Sequence, residues 1–289
     1  MPHRFWLQAR EKTQIILTTN RKTFDLAPPK NSPIKQIVIN PKYAHLHDFI
    51  KSIPSRFNEP DFGTTLHSGR NIVKRVEYNG LQIVVKSYCR ISLLNRLIYG
   101  RLRKSKSHRA YNHYLRLKSL GIDSPEAIAA IDTRHNGKIV GSFFVSLHSD
   151  YQSMEVVNEY PHNAATLEPL MEALAEFLIQ LHNSGVLHHD LNISNILFRG
   201  DSVSGYKFQL IDTNRMDFKQ QLSLRKRIEN MRRLSCGSAA YAYLLERYAE
   251  KMNQPENSFE LKGLLARLIF DERQRTKQKV KQRIKQRLR

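Results

Sequence analysis

The chain has 289 residues, with 47 Lys plus Arg against 26 Asp plus Glu, giving a formal charge of +21 and a pI near 10.1. A hydrophobic share of 40%, 25% charged residues and only 12 Gly and 11 Pro exclude a collagenous, low-complexity or wholly disordered chain and predict a packed core in one large domain or two coupled lobes. Two cysteines, Cys89 and Cys236, are too few for a disulfide framework or a zinc knuckle and fit a reducing compartment, the cytoplasm.

The first fifteen residues carry Arg4, Arg10, Glu11 and Lys12 without an apolar run and do not read as a secretion signal. No stretch reaches the roughly 18 uninterrupted apolar residues that cross a bilayer. Residues 1–60 read as a proline-bounded N-terminal arm, with a short strand at 37–39 and a short amphipathic helix around Leu46, Phe49 and Ile50. Residues 61–149 read as a small β-rich lobe. Asn79-Gly80 splits 71–87 into two strand-like halves, the strongest short hairpin signal. Apolar residues at helical spacing (Leu93, Leu94, Leu97, Ile98, then Tyr111, Tyr114, Leu115) predict one or two helices over 91–119, stopped by Gly121 and Pro125. Strands at 127–131 and 139–147 flank Asn136-Gly137, so a small sheet carries one helical element.

Residues 150–270 read as a mostly helical lobe. Leu170, Met171, Leu174, Phe177, Leu178 and Leu181 form one apolar helix face, ended by Gly185. Strand-like runs follow at 196–199 and 206–211, and helical periodicity resumes after 221. Residues 271–289 form a basic C-terminal tail.

Chemistry concentrates in 188–195, His-His-Asp-Leu-Asn-Ile-Ser-Asn, between a helix end and an apolar strand. Asp190 and Asn195 are five apart, the separation found in phosphotransferase catalytic loops. There the Asp accepts the proton of the acceptor hydroxyl and the Asn coordinates Mg²⁺. Asp212 follows the apolar run 208–211, and a strand-end carboxylate suits the same hard cation. His188 reads as loop scaffold rather than as an acid or base. Lys86 ends the second hairpin strand, where it is either a grip for nucleotide phosphates or an ordinary strand-edge lysine. Gly69, Arg70 and Asn71, just before the hairpin, are placed to cover phosphates with backbone N–H groups.

The segments 70–88, 121–132, 185–198 (GVLHHDLNISNILF) and 211–218 (IDTNRMDF) together resemble the lipopolysaccharide kinase (Kdo/WaaP) family of the protein-kinase-like superfamily. That resemblance implies an α+β, bilobal protein-kinase-like fold, with a small antiparallel β-sheet N-lobe and a mostly helical C-lobe. It implies ATP-dependent phosphorylation of a lipopolysaccharide inner-core sugar, Kdo or heptose, at the inner face of the cytoplasmic membrane. By the same carry-over Asp190 matches the catalytic base, Asn195 and Asp212 the metal ligands, and Lys86 the nucleotide lysine. The linker near residues 146–149 is expected to hold the adenine. One departure stands out. Kinase-like folds pair the strand lysine with a helix Glu, yet no Asp or Glu occurs between Glu77 and Asp123, and Ala110 or Asn112 stands where the carboxylate is expected. A pseudokinase that binds a glycolipid or protein therefore remains an alternative to an active kinase.

Residues 90–118 hold nine Lys/Arg and no acid, 219–233 six against one, and 271–289 nine against two, which together account for the whole charge excess. Such a surface attracts anionic partners. In the tail, Val280, Ile284 and Leu288 recur at i, i+4 and i+8 inside a cationic coat, a pattern suited to anionic lipid headgroups, though equally that of a solvated end. The tyrosines in and beside 90–118, Tyr88, Tyr99, Tyr111 and Tyr114, read as core-facing more than as base-stacking platforms, so no specific nucleic acid is expected. A kinase associated with protein or RNA is the remaining variant.

Overall fold

The computed structural model describes residues 34–88, 104–136 and 138–287. Cys89, the helical spacing over 91–103, Tyr99, Gly137, Leu288 and the first 33 residues of the expected arm lie outside the described residues.

Six antiparallel strands build the first sheet: β1 (Ile34–Ile39), β2 (Thr64–Ser68), β3 (Ile72–Tyr78), β4 (Leu81–Ser87), β5 (Ala127–His135) and β6 (Lys138–Leu147), in the order β1-β5-β6-β4-β3-β2. The Asn79-Gly80 turn closes β3 onto β4 with both residues at positive φ, the two-residue hairpin geometry that matches strand twist. Among the described residues two helices, not one, cover this sheet. Helix α1 (His47–Arg56) comes from the segment read as an arm and packs Phe49, Ile50 and Ile53 against Ile83, Val85 and Val145. Helix α2 (Lys106–Ser119), capped by the Ser105 hydroxyl, packs Tyr111 and Tyr114 on Ala127, Ala130 and Phe144. Because side chains alternate along a strand, Ile83 and Val85 look toward α1 while Val84 and Lys86 take the opposite face, the side of α2.

Past the linker the second lobe is assembled around α3 (Ala164–Asn183), whose Leu170, Met171, Leu174, Leu178 and Leu181 are fully or almost fully buried. Short strands β7 (Gln152–Ser153), β9 (Ile196–Asp201) and β10 (Gly205–Leu210) form one ribbon, and β8 (Val186–His188) pairs with β11 (Met216–Phe218). Helices α4 (Leu224–Met231), α5 (Ser238–Lys251) and α6 (Glu256–Arg287) complete the lobe. A single helix, α6, runs through the expected boundary at 270. Phe259 and Gly263 anchor its first half on α5, where Gly263 lies against Leu245 with no room for a Cβ.

Gly185 turns the chain from α3 into β8 at φ +72, with Lys219 N donating to its carbonyl (2.8 Å) and the Lys219 carbonyl where a Cβ would stand. Gly80 has φ +73 but open space around it. Gly185→Ala is therefore expected to lose well over the ~1 kcal/mol of backbone strain that Gly80→Ala shows, as read by urea unfolding. Equal losses at the two positions would mean that the approach of Lys219 is not limiting.

Candidate active site

β8 carries His188 into the interior, where it is 0% exposed. Its Nδ1 accepts from the Asp190 backbone N–H (3.1 Å), so Nε2 carries the proton and donates to the Ile211 carbonyl (3.1 Å). Burial pushes the His188 pKa down, against the hydrogen bond to Ile211 and the charges of Asp212 and Asp190, which keeps the ring neutral in this bridging role. One imidazole thus fixes the loop bearing Asp190 to the strand end that precedes Asp212. Asn195 adds a second tie: its Nδ2 donates to the Asp190 carbonyl (2.9 Å), and its own carbonyl accepts from Ile211 N (3.0 Å).

Asp212 sits in the left-handed region at φ +56, unusual for a non-glycine residue and found preferentially at functional positions. Its Oδ1 lies 2.9 Å from Lys86 Nζ and accepts from Asn214 Nδ2. Burial would raise the Asp212 pKa, but the Lys86 ammonium, with help from the Asn214 hydrogen bond, outweighs it and holds the carboxyl below its ordinary range. The lysine therefore has an acidic partner, supplied by the second lobe instead of α2. Ala110 is buried and Asn112 half-buried. The α2 residues that line the cleft are Lys106, Arg109 and His113, a cationic face where a carboxylate was expected. Tyr88 lies between two ammoniums, 5.7 Å from Lys86 Nζ and 5.5 Å from Lys106 Nζ to the ring centre.

A cavity of about 600 Å³ opens between these elements, with Asn71 and Arg70 on one wall and Asp190, Asp212 and Arg215 among its other lining residues. Asn71 Oδ1 is buried without a hydrogen-bond partner, an orphan that a ligand donor in the cavity would satisfy. Gly69 lies in the β2–β3 turn, its N–H donating to the Asn71 carbonyl (3.1 Å), and is not among the cavity's lining residues. At the linker, Leu147 N donates to Glu126 O and His148 N to Gln82 O, so those two N–H groups are already used by the protein. Ser149 Oγ donates to Gln209 Oε1 (2.7 Å).

Several residues beside Asp190 and Asp212 escaped the sequence reading. Arg215 Nη1 is 2.8 Å from Asp190 Oδ2, and Arg233 Nη1 is 4.0 Å from Asp190 Oδ1. Arg215 stands in the Asp-Thr-Asn-Arg run already singled out, but Arg233 lies among ordinary-looking basic residues and gives no local signal. His113 joins α2 to the turn after Asp212 through the Thr213 carbonyl (2.6 Å).

The loop is also tied to the lobe's core. Asn230 Nδ2 donates to the His188 carbonyl (2.8 Å), while its Oδ1 meets His182 Nε2 (3.3 Å). His182 Nδ1 faces the Tyr248 hydroxyl (2.9 Å), which also receives Arg227 Nη1 (3.3 Å).

The fold and cleft define a bilobal, protein-kinase-like phosphotransferase. The model of the lipopolysaccharide kinase (Kdo/WaaP) family matches residues 64–252, more than half of the chain, and the chain belongs to that family. Among solved structures, "WaaP in complex with acyl carrier protein" is similar at a TM-score of 0.55 and 18% identity, over 84% of this chain and 98% of that one, a likeness of fold. A search of curated proteins found no match.

Burial lowers the His182 pKa to about 4, so the folded protein takes up this proton far later than the unfolded chain, where a histidine titrates near 6.5. Stability at His182 is therefore full above about pH 6.5 and falls with acidification, by about 2 kcal/mol at pH 5. Urea midpoints are expected to drop between pH 7 and 5, and His182→Gln to flatten that slope. A slope unchanged by the substitution would remove His182 as its source.

Proposed function

We propose that the protein transfers the γ-phosphoryl group of ATP, with Mg²⁺, to a hydroxyl of an inner-core lipopolysaccharide sugar, Kdo or heptose, at the cytoplasmic membrane face. The observation that carries this is the Lys86–Asp212 ion pair, which joins the two lobes over the cleft that holds Asp190. Among the described residues no three His, Cys, Asp or Glu side chains form a ready-made metal cage. Mg²⁺ ordinarily takes one or two carboxylates together with substrate phosphates, and Asp212 with Asn195 offers that oxygen set. Bound Mg·ATP supplies the electrophilic phosphorus and neutralises the charge that develops on it. Lys86 positions the α- and β-phosphates, with Asn71 in the turn above them. Asp190 orients the acceptor hydroxyl and takes its proton, and His188 and Asn195 hold Asp190 in place. The cationic α2 face explains why an acidic helix partner is dispensable: Asp212 already balances Lys86.

Asp190→Ala is expected to lower phosphoryl transfer to a Kdo-bearing lipid A acceptor by about 10³-fold with ATP binding retained. The measurement is radiolabel transfer, with product gaining about 80 Da by mass spectrometry. Nucleotide binding without transfer by the unaltered protein favours the pseudokinase, a reading motivated by Arg215 occupying Asp190 and by the missing helix acid.

The long α6 helix supports membrane attachment. No described helix is long and apolar enough to cross a bilayer. Leu261, Leu265, Leu268 and Ile269 are exposed on α6, ahead of exposed Val280 and Ile284 within its cationic second half. At about 1 kcal/mol per basic group, replacing Lys277, Lys281 and Arg283 by Gln is expected to weaken partition onto phosphatidylglycerol-containing vesicles about 100-fold. Unchanged partition would turn attention to a protein partner, the similar WaaP having been solved in complex with acyl carrier protein.

A further inference from the structure

Cations in the cleft fall into two groups. Lys106 lies within electrostatic reach of Arg70, Arg109, Lys86 and Asp212, and Lys86 pairs with Asp212, on the side assigned to nucleotide phosphates. Arg215 and Arg233 approach Asp190, where the acceptor hydroxyl belongs. The nucleotide's charge is thus already met on the Asp212 side, and the second group has no comparable duty toward it.

At Asp190 two guanidiniums converge on one carboxylate, leaving an excess of positive charge beside the reacting hydroxyl. Both are held in place. The Arg215 carbonyl accepts from His189 N (2.9 Å), which pins its backbone to the loop carrying Asp190. The Arg233 guanidinium lies 5.2 Å from the centre of the Phe270 ring on α6, and its side chain is only 31% exposed. An acidic ligand seated beside the accepting hydroxyl would compete with Asp190 for the two guanidiniums.

We propose that Arg215 and Arg233 form an anion subsite for the acceptor, holding a carboxylate or phosphate carried next to the accepting hydroxyl. This rests on the kinase reading above and narrows its substrate class to acidic sugars. Kdo, a keto acid, meets the requirement by itself, whereas a heptose meets it only through a neighbouring phosphate. With the subsite filled, the acceptor oxygen bonds to the γ-phosphorus, its proton passes to Asp190, and the β–γ bridging oxygen leaves with the bonding pair as part of ADP.

Ligand-observed NMR titration of the full chain, without nucleotide, tests this with four probes: Kdo, its carboxamide, a heptose monophosphate and the unphosphorylated heptose. At least one acidic probe is expected to bind about tenfold or more tightly than its neutral counterpart, and which pair discriminates tells carboxylate from phosphate. Arg215→Gln and Arg233→Gln should erase that discrimination, with Arg215→Lys keeping part of it. Asp190→Asn should abolish transfer yet tighten acidic-probe binding, because it frees both guanidiniums. That gain should vanish in Asp190→Asn/Arg215→Gln. Discrimination unchanged in both Gln variants, no gain in Asp190→Asn, or equal binding of acidic and neutral probes would each overturn the subsite. Discrimination present in a protein that transfers no phosphoryl group would overturn the kinase reading and leave the subsite standing.

Discussion

The ion pair between Lys86 and Asp212 is the constraint on which the two lobes agree. Each partner is mostly withdrawn from water, at 17% and 26% side-chain exposure, so each pays desolvation that only close pairing and extra hydrogen bonds offset. Asn214 supplies one such bond to the carboxylate, and the Tyr88 ring faces the ammonium. The contact also dictates backbone: β4 must end with Lys86 on its α2 face, and the chain after β10 must enter the left-handed region for Asp212 to reach it. A pair of this kind says little about net stability, since apolar substitutes often do as well. Its value lies in register between the lobes.

Once Asp212 balances Lys86, α2 is relieved of supplying a carboxylate. That helix is instead held by Asp132, buried at 2% exposure, which accepts from Ser107 Oγ (2.9 Å) and faces His108 Nδ1 (3.2 Å). Its cleft-facing side is then free to be cationic, with His113 clipped to Thr213. Such a charge distribution favours anionic ligands, and the same excess of cations continues along α6.

The loop around Asp190 has unusually many supports for a segment of its length. His188 ties it to the Asp212 strand end, Asn195 closes it on itself, Asn230 binds it to α4, and Ser235 donates to Asn192. The Ser235 contact leads onward to α6, because Arg267 Nη2 donates to the neighbouring Cys236 carbonyl and Phe270 stacks beneath Arg233. The helix that carries the apolar and cationic surface patches is therefore packed against residues that border Asp190 and its loop.

What the sequence determined by itself was local. Asn79-Gly80 specified a hairpin because few other residues adopt positive φ in succession, the apolar spacing of 170–181 specified α3, and the order Lys86, Asp190, Asn195, Asp212 with its family-like motifs specified the kind of fold. The strand and helix of 34–56 were legible as elements, but not as an edge strand and a cover for the sheet, since pairing with β5 depends on residues about ninety positions away. Only the tertiary structure decided which side chain meets which. Lys86 found its partner in Asp212 rather than on α2, and Arg215 and Arg233 found Asp190, because charges separated by tens to more than a hundred positions are brought within a few ångströms by folding alone. Spacing along the chain carries no trace of such distances.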